Sequence, residues 1–560
     1  MSDTPEDPDV PARLPTESPA PVEDNVVFER FFHQAGDQGR WQLMMVLLTS
    51  YTAFVSSIDT FSLVFKMDSP GHWCLPNVSL TNLTTCSDLD RCRCLPVNIS
   101  EEHHRTESSE CSGWRYESSV YTSTIVSQFD LVCDRAPLRS LVISLHMVAG
   151  LVASLLFGLL GDRLGRSRAG SLSILIFIVG SFVQTVTSSL AAYLLVSVFT
   201  AGAHMGMYCC WYTFCMETVG DQWRSYAGIF WLLPWAIGIS SVAVAGWLLR
   251  SWWELQLFVA VAAVPMLLCV FLLPESPRWL LEKGRTKQAA NVLLQIASIN
   301  GKRSRIDRDE LQRHMALIST TEKQNNSVGS VCLEMYLLIG SKQMRIRSAA
   351  TVWLWMSIAL VYYGLSFDST QLTENAYLAM GLSGLFEIPG MAAVWLIDRW
   401  GRRPIMSLIY LLTAATIVPV AFVPRGWGVL ILGLFSKLLL SAGFGVIYIY
   451  VEEYFPTSAR SAALGLASTS EATGGALAPY ISYSLAQLHW FLPSLVFLSV
   501  AVISGIVVVT LLPETLGRPM PATVDEVEQS AKRSSPKHFQ RACDSTLNSQ
   551  SQQDRGNSTC

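Results

Sequence analysis

The stretch LLGDRLGRSR, residues 159–168, sets one aspartate and three arginines between two long apolar runs, and a close copy, IDRWGRR, returns at 397–403. Aligning Asp162 with Asp398 fixes an offset of 236 residues, and the same offset takes Glu217 to Glu453 and Arg224 to Arg460. Chance rarely keeps charged positions in register over such a separation. The halves also end alike, PESPRW at 274–279 and PETLGR at 513–518. The chain reads as a duplication.

Composition says where the two copies live. Half of the 560 residues are hydrophobic and 15% are charged, the balance of a membrane protein. A net charge of -4 and the lack of basic clusters interleaved with aromatics give no reason to invoke a nucleic-acid partner. From Trp41 onward, apolar segments of about 20 residues recur, each enough to cross roughly 30 Å of hydrocarbon as a helix. Twelve are expected, near 41–65, 138–160, 170–188, 191–216, 225–248, 254–273, 348–367, 376–397, 404–423, 428–451, 461–485 and 490–512. The organisation that follows is a tail at 1–40, a six-helix half at 41–273, a linker at 274–347, a second half at 348–512 and a tail at 513–560. The first tail is acidic and proline-rich, and no cleaved signal peptide is expected from it.

Basic residues set the orientation. The even-numbered connections hold Arg163, Arg166, Arg168, Arg224, Arg399, Arg402, Arg403 and Arg460 together with the basic linker, whereas the short odd-numbered ones hold little beyond Arg250 and Arg425. Both termini and the linker are therefore expected in the cytosol and the long connection 66–137 outside the cell. That connection carries Cys74, Cys86, Cys92, Cys94, Cys111 and Cys133, with glycosylation sequons at Asn77, Asn82 and Asn98. An even cysteine count and sequons both suit an oxidising compartment. Six cysteines leave fifteen pairings open. A zinc site is the competing reading, and these cysteines lack its paired CxxC spacing. Sequons at Asn325 and Asn557 fall on the cytosolic side and are expected to stay unmodified.

Duplicated sets of membrane helices joined by a linker are a signature of secondary transporters, whose substrate site lies at mid-membrane between the repeats. The motifs GDRLGR, PESPRWLLEKGR, DRWGRRP and PETLGRP resemble the signature turns of the major facilitator superfamily. SQFDLVCD at 127–134, YYGLSFD at 362–368, GLFEIPG at 384–390 and EEYFPTSAR at 452–460, with the cysteine-rich first connection, resemble solute carrier family 22, the organic cation, anion and zwitterion transporters. The resemblance runs from about Trp41 to Pro519 and leaves out both tails. It implies an all-α membrane protein with the major facilitator fold, twelve transmembrane helices in two pseudo-symmetric halves, at the plasma membrane.

The resemblance also implies a cytosolic gate made of Asp162, Arg163, Arg166, Glu217 and Arg224 in one half and Asp398, Arg399, Arg402, Glu453 and Arg460 in the other. By that analogy each aspartate sits at a helix N-terminus and reaches across, Asp162 to Arg460 and Asp398 to Arg224. The plainer reading, arginines that merely anchor helix ends, accounts for the arginines but not for the aspartates or the repeated Glu and Arg. Ser167 stands where a basic residue usually follows the GR of the motif.

Ionisable residues within the spans carry the substrate argument, because a charge at mid-bilayer costs on the order of 3 kcal/mol. They are Glu387 in the eighth span, Lys437 in the tenth and Glu471 in the eleventh. Glu387 and Lys437 could also pair across a packed interface and do nothing more. Anion carriers of the resembled family have basic residues where this chain has Met391 and Ala472, and cation carriers have an aspartate at the position of Ala472. Glu471 is its neighbour, about 100° around the helix. Tyr362, Tyr363, Tyr212, Trp231 and Trp235 are candidates to face a cation with their rings, each with packing as the alternative. His146 and His204 could relay protons, but structural roles are the expectation for isolated intramembrane histidines.

The expectation is a carrier of small organic cations or zwitterions, choline-like or carnitine-like, working by alternating access. An organic-anion carrier is the runner-up, and a non-transporting receptor on the same fold is the alternative from another class. No enzyme is expected, since the chain has no nucleophile elbow, HExxH or phosphate-binding glycine loop. The partners implied are a small organic ion, the lipid bilayer and whatever ion is coupled to transport; neither a cofactor nor a metal is implied.

Overall fold

The computed structural model describes residues 30–36, 38–76, 111–303, 307–308, 310–311, 336–372, 375–420, 426–456, 459–517, 521, 524 and 526–528. Six helices form the first half: α1 (Arg40–Lys66), α2 (Pro137–Leu164), α3 (Arg166–Thr185), α4 (Leu190–Thr218), α5 (Asp221–Leu248) and α6 (Trp252–Leu272). The second half is α7 (Lys342–Leu372), α8 in two segments (Ala376–Gly390 and Ala393–Trp400), α9 (Arg402–Val420), α10 (Trp427–Tyr454), α11 (Arg460–Pro479, continued by a π-helical stretch Tyr480–Leu485) and α12 (Leu492–Leu511). Nine of the described helices are long and apolar enough to cross a membrane. The other three are α8, broken next to Pro389, α9, and α11 with its Ser, Thr and Glu471.

The connection 66–137 adds an element that hydropathy does not reveal. Strands β1 (His72–Pro76) and β2 (Cys111–Tyr116) pair antiparallel, with Cys74 opposite Trp114. Cys74 and Cys133 are disulfide-bonded. Cys86, Cys92, Cys94 and the sequons Asn77, Asn82 and Asn98 lie outside the described residues, as does the side chain of Cys111. This end of the bundle is called the loop face below, and the opposite end the linker face.

Contacts between the halves gather toward the loop face. Ser144 Oγ donates to the Ala476 carbonyl at 2.6 Å and Ser140 Oγ to that of Pro479 at 3.3 Å, tying α2 to α11. Ser240 Oγ donates to the Gly381 carbonyl at 3.0 Å, tying α5 to α8. Above them the Arg139 guanidinium lies 3.6 Å from the centroid of the Tyr483 ring and 3.5 Å from an Asp68 carboxylate oxygen. Tyr121 donates to the other Asp68 oxygen at 2.9 Å.

At the linker face the two charged turns are built alike. The chain reverses between α2 and α3 at Gly165, φ 115°, and between α8 and α9 at Gly401, φ 94°, a region that favours glycine. Orphan N–H groups at the start of the next helix then need an acceptor. Glu275 of PESPRW accepts from the Ser167 N–H at 2.9 Å, and Glu514 of PETLGR accepts from those of Arg402 and Arg403 at 3.0 and 3.1 Å. Partial burial alone would raise the Glu514 carboxyl, but the backbone N–H groups of Leu516, Arg402, Thr515 and Arg403 hold it below the usual glutamate value. The recurring endings of the halves are thus caps for their recurring turns.

These glycines have no room for a side chain: a Cβ at Gly165 would lie 2.1 Å from a Glu275 oxygen and one at Gly401 2.6 Å from a Glu514 oxygen. Gly165→Ala and Gly401→Ala are each expected to lose about 1–3 kcal/mol through backbone strain, before any cost of displacing the glutamate. Thermal unfolding of the purified protein in detergent checks this, with Gly158→Ala, which meets nothing within 4 Å, as the neutral control.

Candidate functional site

The structure places the two aspartates of the charged turns differently from the sequence expectation. Asp162 and Asp398 occupy the last turns of their helices, not N-termini, and the dipole there disfavours a carboxylate. Each is compensated within its own half. Arg166 pairs with Asp162 and with Glu217, the latter at 3.0 Å. Arg402 pairs with Asp398 at 3.0 Å and Glu453 at 2.8 Å. Asp162 thus pairs with the arginine at the start of the very next helix rather than with the expected Arg460, and Asp398 has the equivalent partner in Arg402. Trp279 Nε1 also donates to the Asp162 carbonyl at 3.0 Å, which fastens the linker to the same turn. The side chain of Arg224 lies outside the described part. Among the described residues, Arg163 and Arg399 are in no ion pair.

Between the halves, α1, α4, α5, α7 and α10 bring together an aromatic wall. Tyr208 meets Trp231 at 4.7 Å between ring centroids and Tyr212 meets it at 5.1 Å, both edge to face. Trp355 meets Tyr448 at 4.5 Å, and Tyr362 meets Phe444 at 5.3 Å. Phe61 of α1 joins the two sets, 5.9 Å from Trp235 and 6.5 Å from Tyr363. The offset that aligns the charged turns also takes Tyr208 to Phe444 and Tyr212 to Tyr448. Part of the wall is therefore duplicated with the turns. Two other mated positions break the symmetry: Trp231 corresponds to Ala467 and Trp235 to Glu471.

Glu387, Lys437 and Glu471, the charges picked out within the spans of the second half, fall into two environments. Glu387 and Lys437 are almost fully buried and form an ion pair at 3.0 Å. Tyr362 donates to both Glu387 oxygens, at 2.8 and 3.0 Å, and accepts from Trp235 Nε1 at 3.2 Å. Lys437 Nζ donates to Ser366 at 2.6 Å and sits 3.3 Å from the centroid of the Tyr362 ring. This network satisfies both charges, so the negative field expected of Glu387 is spent on Lys437. Glu471 is different. It is half-buried, no ion pair or hydrogen bond engages its carboxylate among the described residues, and it acts electrostatically on Tyr208, Tyr363 and Tyr448. Phe61, Tyr208, Trp355, Phe444, Tyr448 and Ser366 escaped the reading of the sequence. For Tyr208, Phe444 and Tyr448 a signal was there, in the register of the repeat.

A duplicated helical bundle with loop-side contacts between its halves and a lined centre defines a membrane transporter of the major facilitator fold. The chain belongs to the family described as "Sugar (and other) transporter", whose model matches residues 98–524, and the curated relatives it is similar to include organic cation transporters and solute carrier family 22 members. It is 27% identical to the organic cation transporter protein of Drosophila melanogaster, over 90% of this chain and 94% of the relative. It is 28% identical to solute carrier family 22 member 16 of Homo sapiens, over 89% and 92%. Among solved structures, the inward-open xylose transporter XylE from E. coli shares the fold with a TM-score of 0.59 at 15% identity, covering 87% of this chain and 99% of that one.

Breaking a buried pair strands its partner's charge, at about 3–5 kcal/mol, while replacing both members costs far less. Glu387→Gln and Lys437→Met are each expected to destabilise the protein by that amount, and the double variant by less than either. Unfolding in detergent, arranged as a double-mutant cycle, measures the difference.

Proposed function

We propose that this protein carries small organic cations or zwitterions across the plasma membrane by alternating access. The observation that carries the reading is Glu471: a carboxylate without an ion-pair partner among the described residues, half-buried beside Tyr208, Tyr363 and Tyr448. A charge held in a low-dielectric bundle is functional by default, and a cation placed there gains both the carboxylate and the ring faces. Lys437, the positive charge of the central wall, is held by Glu387 and offers little to an anion. Tyr362 and Tyr363 carry this wall on α7, and Tyr212 carries it on α4. The relatives named as organic cation transporters agree with this choice of charge. Choline-like and carnitine-like molecules are the sizes and charges proposed.

The orientation rests on the arginine bias: termini, linker and charged turns in the cytosol, the 66–137 connection outside, its cysteines oxidised and Asn77, Asn82 and Asn98 glycosylated. The contacts along the loop face then shut the outer end, which suits a state whose site faces the cytosol. Asp162, Arg163, Arg166, Glu217 and Arg224, with Asp398, Arg399, Arg402, Glu453 and Arg460, form the cytosolic gate. Pairs closed within each half would exchange for pairs between halves when the inner end shuts, and substrate would bias that equilibrium by binding one state better.

Uptake by cells expressing the chain, using labelled tetraethylammonium, carnitine, an aromatic carboxylate and a hexose, tests the reading. Tetraethylammonium or carnitine is expected to accumulate, and Glu471→Gln to lower that uptake by about tenfold or more, a loss of about 1.4 kcal/mol. Accumulation of the carboxylate alone would establish an anion carrier instead. A surface-expressed protein that moves none of the four would be the receptor.

A further inference from the structure

One cluster of ionisable groups lies apart from the site just described. Asp59 of α1, His146 of α2 and His204 of α4 are all buried inside the first half, with relative exposures of 3%, 6% and 6%. One ligand atom from each, a carboxylate oxygen and two imidazole nitrogens, lies within 4.8 Å of the others, and Asp59 Oδ2 is 3.7 Å from His146 Nε2. These two atoms and His204 Nε2 have no hydrogen-bond partner among the described residues. Buried polar atoms are almost always satisfied, so three that are not, converging from three helices, mark a place for a small species held between them.

Spacing and donor type select the species. A proton shared by two groups draws them to about 2.8 Å, and a water molecule bonded to both leaves them about 4.6 Å apart. A zinc ion about 2.1 Å from each leaves them about 3.4 Å apart. The Asp59–His146 separation of 3.7 Å is nearest the last. The rings agree: two imidazoles on one tetrahedral ion have centroids about 5.3 Å apart, and those of His146 and His204 are 6.0 Å apart. Two imidazoles and one carboxylate are a common zinc donor set, whereas calcium and magnesium take oxygen ligands. The neighbouring cation, Lys66 of α1, is turned to Gln256 of α6, to which its Nζ donates at 2.5 Å. Asp59 supplies one negative charge, and hydroxide as a fourth ligand would bring the ion to neutrality. The apolar Phe177 of α3 stands beside His204, with ring centroids 6.3 Å apart.

We propose that Asp59, His146 and His204 form a zinc-binding site that staples α1, α2 and α4 together within the first half. Each ligand stands inside a helix rather than on a loop, so packing holds the triangle close to the required size before the ion arrives, and side-chain rotation closes the rest. The staple also fixes Phe61, two residues on from Asp59, which packs against Trp235, Tyr362 and Tyr363 in the central wall. Spacing along the chain does not announce the site, because its ligands come from three separate helices. The inference stands on this geometry and does not need the transport reading.

The test uses the full-length protein, purified in detergent without a histidine tag and stripped with a chelator. About one equivalent of Zn2+ is expected to bind and to raise the midpoint of thermal unfolding, since an ion that binds only the folded state stabilises it. Asp59→Asn, His146→Gln and His204→Gln are each expected to weaken binding by about a hundredfold or more. His72→Gln, on β1 at the loop face, is expected to leave it unchanged. Co2+ in place of Zn2+ gives a second reading on the unaltered chain. Its visible bands are expected to be those of a tetrahedral ion with nitrogen and oxygen ligands, without the near-ultraviolet thiolate band that the free, buried Cys210 and Cys215 of α4 would add. Zn2+ binding that is absent, or that survives all three substitutions, overturns the proposal. So does a cobalt spectrum that lacks the tetrahedral bands or shows the thiolate band. Should a variant fail to fold, the cobalt spectrum of the unaltered chain decides the ligands.

Discussion

A carboxylate inside a bundle of bilayer-spanning helices cannot stay charged and idle, because hydrocarbon and packed side chains solvate it poorly. Nearly every informative feature of this protein is a different answer to that constraint. Glu387 answers it with Lys437 and Tyr362; at the linker face the constraint eases, and there the exposed Asp162 and Asp398 pair with the arginine that opens the following helix while Glu275 and Glu514 accept from backbone N–H groups at helix starts. Asp59 faces two histidines. Glu471 meets tyrosines and, among the described residues, no ion-pair partner. The carboxylates that the protein compensates hold the architecture, and Glu471 is the one on which the proposed cation site rests.

The duplication organises these answers. The turns at Gly165 and Gly401, their caps Glu275 and Glu514 and the Arg–Glu pairs below them are one design used twice, and they make each half a rigid unit at the linker face. Rigid halves hinged about a central site are what alternating access requires. Function then appears where the copies diverge. At the mated positions Trp235 and Glu471 one half keeps an aromatic and the other a carboxylate, and the buried cluster of Asp59, His146 and His204 lies in the first half.

Much of the fold was legible because hydrophobic length and periodicity are local properties. The apolar runs and the repeated turns led to the fold class without any knowledge of packing, and the PES and PET endings were visible as repeats although their role as caps was not. Glu387, Lys437 and Glu471 stood out because charge in an apolar run is conspicuous. What they do was not legible. A pair between α8 and α10 cannot be told from two cavity-facing charges on spacing alone, and the pairing of Asp162 with Arg166 was missed because the turn at Gly165 folds the neighbours together. Asp59 was overlooked for a similar reason: one acid near the end of a span looks like an interfacial residue until His146 and His204 arrive from two other helices.

The sequence by itself determined the helices, the duplication and the side of each half that bears the charged turns, since these follow from hydrocarbon thickness, the cost of burying charge and the register of the repeat. Only the tertiary structure decided which charges are neutralised and which are not. Ion pairing and aromatic enclosure depend on which helices are neighbours and on how each is rotated, and one residue's displacement turns a side chain by about 100°. That rotation is what sets Glu387 against Lys437, leaves Glu471 among tyrosines, and brings Asp59 within reach of two histidines.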